Sequence, residues 1–308
     1  MKIAIVGPGA IGLLLAAFLS KAKEELWLLD YEKNRANRIS QNGIKVEGLS
    51  GELAVKVKIT VDPKEIGIVD LVIVCVKSYD TKAALIHAKP LIGDDTAVLT
   101  LQNGIGNIEI ISEVIGPDRV IGGVTNLGST LIDTCRVRLA GKGDTIIGRL
   151  DGKIPVEMRG IREIFNKVGL EMRISRDVKS LLWSKLIINV GVNALTALTR
   201  LQNGKLLEFE GTRVIMRDAV TEAVKVAKRK RIKIMYDDPL AKVEAVCEAT
   251  SANVSSMLQD VVKHRRTEID FINGVIVRHA KEQGVSAPVN SLLVELVKTI
   301  EASYGKTI

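Results

Sequence analysis

Two kinds of hydrophobic pattern divide the chain near residue 175. Before that point, short apolar runs such as "KIAIV" (2–6) and "VDLVIVCVK" (69–77) alternate with segments of helical periodicity, as in a parallel sheet with crossover helices. After it the period is helical throughout. The helices expected there lie near 210–231, 238–263, 267–283 and 289–303. The pattern therefore predicts an α/β domain over residues 1–175 and an all-helical domain over residues 176–308.

A glycine turn follows the first predicted strand. The motif "GPGAIG" stands between that strand and an apolar helix, the context in which this glycine spacing binds the pyrophosphate of a dinucleotide. The free N–H groups and the positive dipole end of the helix favour phosphate at this place. We expect every residue of the turn to contact the cofactor: Gly7, Pro8, Gly9, Ala10, Ile11 and Gly12.

The second predicted strand, "ELWLLD", ends at Asp30. An acid at this place accepts hydrogen bonds from the ribose hydroxyls and repels a 2′-phosphate, so we expect NADH to be preferred. Lys33 and Arg35 follow closely and keep NADPH use open, because either cation can fold back onto a phosphate. A role for Asp30 as the N-cap of the next helix is a further alternative.

Two polar residues end later strand patterns. Lys77 closes the run at 69–77, at the carboxyl end where ligands bind in open α/β sheets, and alternation places Cys75 on the same side. Asn103 closes "TAVLTLQNG" (96–104), where Asn-Gly also indicates a simple turn. The position at a strand end favours a ligand contact for both residues.

The stretch "LLWSKLIINVGVNALT" (181–196) predicts a buried helix that nevertheless has polar residues every fourth position. Lys185, Asn189 and Asn193 share one helix face at this spacing. Because unpaired polar groups are costly to bury, a polar file is better placed on the wall of a site than in a core. Other polar residues cluster later in the same half: Asn203, Asn253, Ser255, Ser256 and Glu268.

Composition excludes several classes of protein. The net charge is +8, and the densest basic run is "KVAKRKRIK" (225–233). The basic residues are otherwise interspersed with acidic ones, and aromatic residues make up only 3% of the chain, which leaves little surface for base stacking, so nucleic acid is not expected as a partner. The three cysteines, Cys75, Cys135 and Cys247, are scattered without metal-ligand spacing. We therefore expect no metal and a reducing, cytoplasmic location.

Hydropathy predicts no membrane segment. No run of about 18 apolar residues lacks a charge. The first residues resemble a signal peptide in hydropathy, but the glycine spacing and the absence of a small-residue cleavage site argue against that interpretation.

Longer motifs resemble the ketopantoate reductase (2-dehydropantoate 2-reductase) family over nearly the full length. They are "GPGAIG", "VCVKSYDTKAAL", "LQNGIGN", "LWSKLIINVGVNALTAL", "QNGKL" and "SSMLQDVVKHRRTEIDFINGVIVRHAKEQGVSAPVN". The resemblance implies a Rossmann-type dinucleotide-binding domain followed by an all-helical domain of the 6-phosphogluconate dehydrogenase type. It also implies NAD(P)H-dependent reduction of 2-dehydropantoate to (R)-pantoate, in the pathway to pantothenate and coenzyme A.

The resemblance assigns roles to individual residues. Lys185 takes the position of the general acid, and Glu268 that of the glutamate facing both the lysine and the cofactor. Lys77 and Asn103 face the cofactor, and Leu127 touches its nicotinamide end through the backbone. The positions that bind substrate are Asn103, Asn189, Asn193, Asn203, Asn253, Ser255 and Ser256. One departure follows the second strand, where NADPH-using members carry an arginine. The corresponding stretch here is "LLDYEKNR", with Asp30 at the end of the strand.

These roles fit the chemistry of a 2-oxo acid. Reduction adds a hydride to the ketone carbon and a proton to its oxygen, and a positioned ammonium such as that of Lys185 stabilises the developing charge and donates the proton. Amides and hydroxyls bind the carboxylate and terminal hydroxyl of the substrate without adding charge. The carboxylate of Glu268 favours the charged form of the lysine.

Three alternatives remain open. In the first alternative, the substrate is another branched 2-oxo acid. In the second, the chain is a non-catalytic NADH-sensing protein on the same fold. Nucleic-acid binding through the basic run at 225–233 is the third. We expect a homodimer and no membrane partner.

Coenzyme A is a further expected ligand. It contains an adenosine and a pyrophosphate, so we expect it to compete at the glycine turn. If the ammonium of Lys77 lowers the pKa of Cys75, the thiol of coenzyme A forms a mixed disulfide there under oxidising conditions. The alternative is that Cys75 is simply a small buried residue.

Overall fold

The chain folds into two compact units. The computed structural model describes residues 1–49 and 51–306. One unit, here called the sheet unit, contains Met1–Gln102 and Asn107–Val178. The other, the helical unit, contains Asn103–Gly106 and the chain from Lys179 onward. A four-residue loop therefore belongs to the helical unit although its neighbours along the chain belong to the sheet unit.

The sheet unit is built on a mostly parallel sheet. Its strands are β1 (Lys2–Val6), β2 (Glu25–Leu29), β3 (Ile44–Gly48), β4 (Leu53–Val55), β5 (Lys58–Thr60), β6 (Leu71–Val74), β7 (Ala97–Thr100), β8 (Val120–Thr125), β9 (Gly128–Leu131), β10 (Arg136–Gly141), β11 (Thr145–Gly148) and β12 (Met172–Ile174). The main sheet has the order β12-β11-β8-β7-β6-β1-β2-β5, and only the β8–β11 pairing in it is antiparallel among the described residues. The strands β4-β3-β10-β9 form a second, smaller sheet. This arrangement agrees with the predicted Rossmann-type α/β fold.

Helices cover the main sheet and make up the helical unit. Those of the sheet unit are α1 (Ala10–Leu19), α2 (Lys33–Asn42), α3 (Pro63–Ile66), α4 (Thr81–His87), α5 (Asn107–Ile115) and α6 (Val156–Lys167). Those that follow are α7 (Val178–Thr199), α8 (Glu210–Arg229), α9 (Pro239–Ala249), α10 (Ser256–Val262), α11 (Asn273–Glu282) and α12 (Pro288–Ala302). The predicted all-helical second half is confirmed.

Four of the predicted elements are wrong in extent. The strand expected over 96–104 ends at Thr100, and the helix expected near 267–283 begins at Asn273. The helix expected over 238–263 is interrupted between α9 and α10, where the polar segment "TSANVSS" (250–256) favours turns and caps over helix interior. The strand expected over 69–77 ends at Val74, because Lys77 already begins a 3₁₀ turn at Ser78–Asp80. Cys75 and Lys77 therefore follow the strand, and the alternation that placed their side chains on one side does not apply.

Helix α7 is the central helix of its unit. It is the one helix in the described residues whose length and hydropathy would suit a membrane span, and most of that apolar stretch is buried inside the protein. Its Trp183, Leu186 and Val190 belong to the hydrophobic core of the helical unit. The burial is that of a core helix of a globular unit.

A buried polar network joins four helices of this unit. Glu222 on α8 accepts hydrogen bonds from the backbone N–H groups of Val289 (2.9 Å) and Asn290 (3.0 Å) at the start of α12. Asn273 on α11 donates to the side chain of Asn290 (3.0 Å) and to the carbonyl of Val190 on α7 (3.3 Å). The network fixes α7 beside the position of Asn189.

Candidate active site

The glycine turn has the form that a bound pyrophosphate requires. Gly7 has a φ of +100°, which side chains disfavour, and its N–H donates to Leu29 (3.0 Å). A Cβ at Gly12 would collide with the carbonyl of Gly7, whereas a Cβ at Gly9 would have only the Cys75 carbonyl near it, at 3.8 Å. The turn is therefore closely packed at Gly12 and has free space at Gly9. Gly9 precedes α1 without a side chain to cap it, so the first N–H groups of the helix suit a phosphate.

Asp30, after β2, is paired with Arg35 instead of capping a helix. The Asp30 carboxylate is 2% exposed and accepts from the backbone N–H of Tyr31 (2.7 Å) and from Arg35 Nε (2.7 Å), and it also contacts Arg35 Nη2. The bond to Asp30 raises the pKa of the Arg35 guanidinium. Glu32 caps α2 through the N–H groups of Asn34 and Arg35, so the N-cap alternative for Asp30 is wrong. Asp30 and Arg35 thus form an ion pair. The Arg35 guanidinium also lies over the Tyr31 ring, 5.2 Å from its centroid.

Lys77 and Leu127 lie where strands of the main sheet end. Lys77 is partly buried and begins the turn after β6, with its carbonyl accepting from Asp80 N–H (2.8 Å). Leu127 stands between β8 and β9, and its N–H donates to Thr125 Oγ1 (3.3 Å). A backbone contact from Leu127 to a ligand would therefore use its carbonyl.

Cys75 lies under the glycine turn and is protonated. Its Cβ would be 3.3 Å from a Cβ at Gly12, and its N–H donates to Val6 (2.8 Å). Burial raises the pKa of the Cys75 thiol to about 12. The expectation that a neighbouring ammonium lowers this pKa is wrong, because the loss of solvation outweighs any attraction to a nearby cation. At neutral pH almost no thiolate is present, which removes the basis for a mixed disulfide.

The polar file on α7 exists as predicted. Because α7 is continuous, Lys185, Asn189 and Asn193 lie on one face. Gly191 lies on the opposite face, where an added Cβ would be 2.9 Å from Val243 of α9 and 3.0 Å from Val220 of α8. The core-facing side of α7 is thus packed closely at Gly191, and the polar residues are on the other side. Asn193 is buried, while Lys185 and Asn189 are partly buried.

Lys185 and Glu268 interact electrostatically within the helical unit. Burial lowers the pKa of the Lys185 ammonium to about 8, and the negative charge of Glu268 opposes that shift. Glu268 is only 6% exposed, directly before a 3₁₀ turn at Ile269–Phe271. A lysine with its pKa near neutrality, beside one carboxylate, is suited to donate a proton.

The loop that contains Asn103 contacts the same segment. Ile105 N–H donates to the carbonyl of Phe271 (3.1 Å), and a Cβ at Gly104 would lie 2.5 Å from that oxygen. Gly104 has a φ of +82°. These backbone contacts therefore fix the position of the Asn103 loop relative to the segment that follows Glu268.

Two further predicted positions, Asn203 and Asn253, are brought together. Asn203 N–H donates to the carbonyl of Asn253 (3.0 Å), and Asn203 Nδ2 donates to Thr250 Oγ1 (2.9 Å). The Oδ1 atom of Asn203 is buried without a hydrogen-bond partner.

Ser255 and Ser256 differ in what they can offer a ligand. The Ser255 hydroxyl is 7% exposed, caps α10 through Leu258 N–H (3.1 Å) and pairs with Thr196 Oγ1 of α7 (2.6 Å). Ser256 is partly exposed at the first position of α10. The sequence did not single out Thr196; its position three residues after Asn193 was the available signal. In the described residues no cluster of three or more His, Cys, Asp or Glu could hold a metal ion.

Two protein-family models match the chain, one in each half. Residues 3–152 match the family model described as "Ketopantoate reductase PanE/ApbA", and residues 177–301 match that of its C-terminal domain. The chain is 37% identical to the 2-dehydropantoate 2-reductase of Pyrococcus horikoshii, with 99% of each chain covered. It is 33% identical to that of Halobacterium salinarum, covering 97% of this chain and 98% of the relative.

Solved structures show the same likeness. A PanE/ApbA family ketopantoate reductase from Ralstonia eutropha JMP134 superimposes with a TM-score of 0.91 at 33% identity, covering 98% of this chain and 99% of that one. A D-mandelate dehydrogenase in complex with NADH and anilino(oxo)acetate also gives a TM-score of 0.91, at 29% identity and 99% coverage of both chains.

Proposed function

The chain belongs to the ketopantoate reductase family, and we propose that it reduces 2-dehydropantoate to (R)-pantoate with a nicotinamide cofactor. It is an oxidoreductase, and its chemistry serves the formation of pantothenate. The observation that supports this activity most directly is the electrostatic interaction between Lys185, on the polar face of α7, and the buried carboxylate of Glu268.

Lys185 acts as the general acid in this proposal. Its ammonium donates a hydrogen bond to the ketone oxygen and then transfers the proton as negative charge develops there. Glu268 keeps the ammonium charged and holds its direction. The burial of Glu268 and the partial burial of Lys185 strengthen this electrostatic contribution relative to water. A bound nicotinamide cofactor supplies the hydride.

The remaining polar residues bind the substrate. Asn189 and Asn193 present amides along the same face of α7, and Ser256 presents a hydroxyl at the start of α10. We assign Asn203, which is held by its bonds to Asn253 and Thr250, to the terminal hydroxyl of 2-dehydropantoate, because an amide can pair with a hydroxyl without adding charge. Asn253 and Ser255 act mainly by holding this wall together, through the Asn203 and Thr196 contacts.

The glycine turn fits the cofactor pyrophosphate, and Lys77 and Leu127 of the same unit contact the cofactor in this proposal. Asn103 keeps its expected role as a cofactor and substrate contact. We propose that NADH is preferred, because Asp30 accepts from ribose hydroxyls and opposes a 2′-phosphate. Arg35 narrows the preference, since it neutralises Asp30 and offers a guanidinium to a phosphate. NADPH is therefore also accepted.

The activity is tested by following nicotinamide absorbance with purified protein, 2-dehydropantoate, and NADH or NADPH. We expect turnover with both cofactors and a higher kcat/KM with NADH. A panel of other branched 2-oxo acids and phenylglyoxylate addresses the likeness to a D-mandelate dehydrogenase. Loss of the terminal hydroxyl should lower kcat/KM markedly, because the polar groups that bind it are then left unpaired. Equal turnover of the substrates that lack the hydroxyl would instead favour a general 2-oxo acid reductase.

Two other expected properties are separable from catalysis. A salt-dependent DNA-binding assay tests the basic run at 225–233, for which we expect no specific binding. The homodimer and the cytoplasmic location stay predictions, and sedimentation of the purified protein tests the first.

Coenzyme A is proposed as a competitor at the cofactor site. Its adenosine and pyrophosphate match the glycine turn, whereas the protonated Cys75 thiol gives no support to a covalent link. We expect inhibition that is competitive with NADH and unaffected by dithiothreitol or by Cys75→Ala. Inhibition that dithiothreitol abolishes would instead support a mixed disulfide between coenzyme A and Cys75.

A further inference from the structure

Gln102 precedes Asn103 in the chain, and its side chain bonds groups at the carboxyl ends of β6 and β7. Its Nε2 donates to the carbonyl of Val76 (2.8 Å) and to Thr81 Oγ1 (2.8 Å). Its Oε1 accepts from Thr100 Oγ1 (2.9 Å). Both N–H donors of the amide are thus engaged, and the amide has a single orientation that satisfies all three partners.

Val76 lies directly against the glycine turn. A Cβ at Gly7 would be 2.7 Å from Val76 Cγ1 and 2.9 Å from Val76 N. There is thus no room for a side chain between Gly7 and Val76, so a movement of Val76 towards the turn would press on Gly7. On its carboxyl side Val76 is followed by Lys77. The carbonyl that Gln102 holds therefore lies between two parts of the proposed cofactor site.

The partners of Gln102 belong to a wider buried network. Thr81 is fully buried, and its hydroxyl lies 2.9 Å from the carbonyl of Ser78 and 3.2 Å from Asn107 Oδ1. Asn107 Nδ2 donates to Ser78 Oγ (3.2 Å). Because these side chains bond one another in the interior, the amide of Gln102 is attached to a rigid base.

We infer that Gln102 is a positioning residue for the cofactor: its amide fixes Val76, and through Val76 the glycine turn at Gly7 and the backbone at Lys77. Gln102 takes no part in proton or hydride transfer. The inference rests on the proposed function only in that the glycine turn holds a nicotinamide dinucleotide.

The decisive variant is Gln102→Glu, which keeps the size of the side chain and removes both donors, and brings a carboxylate against the carbonyl of Val76. We expect the Kd for NADH, measured by isothermal titration calorimetry, to rise at least about tenfold, the effect of losing one or two buried hydrogen bonds. We expect kcat at saturating cofactor to stay within about threefold. Gln41→Glu is the matched control, because it adds the same charge at an exposed position of α2.

Thr81→Val is the second variant, since it removes one acceptor of the Gln102 amide without adding a charge. It should raise the same Kd by a smaller factor, which keeps the test available if Gln102→Glu does not fold. Wild-type cofactor affinity in a folded Gln102→Glu protein, with only the Tm lowered, would overturn the inference and leave Gln102 a stability residue. Failure of the wild-type protein to bind NADH and NADPH would instead overturn the proposed function.

Discussion

Ile105 donates its backbone N–H to the carbonyl oxygen of Phe271 at 3.1 Å. Ile105 is two residues after Asn103, and Phe271 is three residues after Glu268. The bond therefore connects the loop after β7 with the segment of the proposed general-acid pair. Gly104 lies within this contact, because its φ of +82° and the nearness of Phe271 both exclude a side chain.

Gly104→Ala should lower both stability and kcat. An added Cβ would be 2.5 Å from the Phe271 carbonyl, so the loop must move and Asn103 with it. Gly116→Ala is the control: its φ is +83°, but nothing lies within 4 Å of an added Cβ. We expect the control to lose about 1 kcal/mol from backbone strain alone and to keep its kcat. Equal effects of the two variants on stability and activity would show that the Phe271 contact is unimportant.

Lys185→Ala should lower kcat by about a hundredfold or more, because it removes the general acid. Cofactor Kd should be unchanged, since the glycine turn and Asp30 belong to the sheet unit. Lys179→Ala, at an exposed position of the same helix, should retain activity. A Lys185→Ala enzyme with nearly wild-type kcat would exclude the lysine from the mechanism.

The reduction should lose activity as the pH rises through about 8. Lys185 must be protonated to donate, and burial lowers its pKa to about 8, so kcat/KM is constant below that pH and falls about tenfold per unit above it. In Glu268→Gln the negative charge that raises the pKa is absent, and the falling limb should move to lower pH. A rate for the wild-type protein that is constant to pH 10 would contradict the assignment of the proton donor.

Glu301→Ala should lower kcat about tenfold without changing cofactor Kd. The Glu301 carboxylate on α12 accepts from Thr267 N–H (2.7 Å), and Lys298 on the same helix pairs with Asp270 (2.7 Å), so α12 holds the chain on both sides of Glu268. Glu301→Gln keeps an acceptor and should restore most of the rate. Glu295→Ala, at an exposed position of α12, is the control. If Glu301→Ala changes only the Tm, the residue does not position Glu268.

The cofactor preference should depend on both members of the Asp30–Arg35 pair. Asp30→Asn should raise kcat/KM for NADPH relative to NADH, about tenfold, because the charge that opposes the 2′-phosphate is lost. Arg35→Gln should act in the other direction, since it exposes the charge of Asp30 and removes a phosphate ligand. Steady-state kinetics with both cofactors measure the two ratios. A wild-type enzyme with the higher kcat/KM for NADPH would show that Arg35, and not Asp30, dominates.

The sequence alone determined the α/β character of the first half, the change from sheet to helices near residue 175 and the polar file on α7. These features follow from the backbone preferences and hydrophobic period of residues that are neighbours in the chain. It did not predict the smaller sheet of β4, β3, β10 and β9. Local pattern was less informative where polar residues interrupt an element, and so the break between α9 and α10 was missed.

Only the tertiary structure decided which residues share an environment. It placed Asn103–Gly106 in the helical unit, paired Arg35 with Asp30 and attached Gln102 to Val76. It also gave Cys75 a raised pKa and Lys185 a lowered one. The physical reason is that hydrogen-bond pairing and desolvation depend on groups far away in the sequence, which the chain brings together only when it folds.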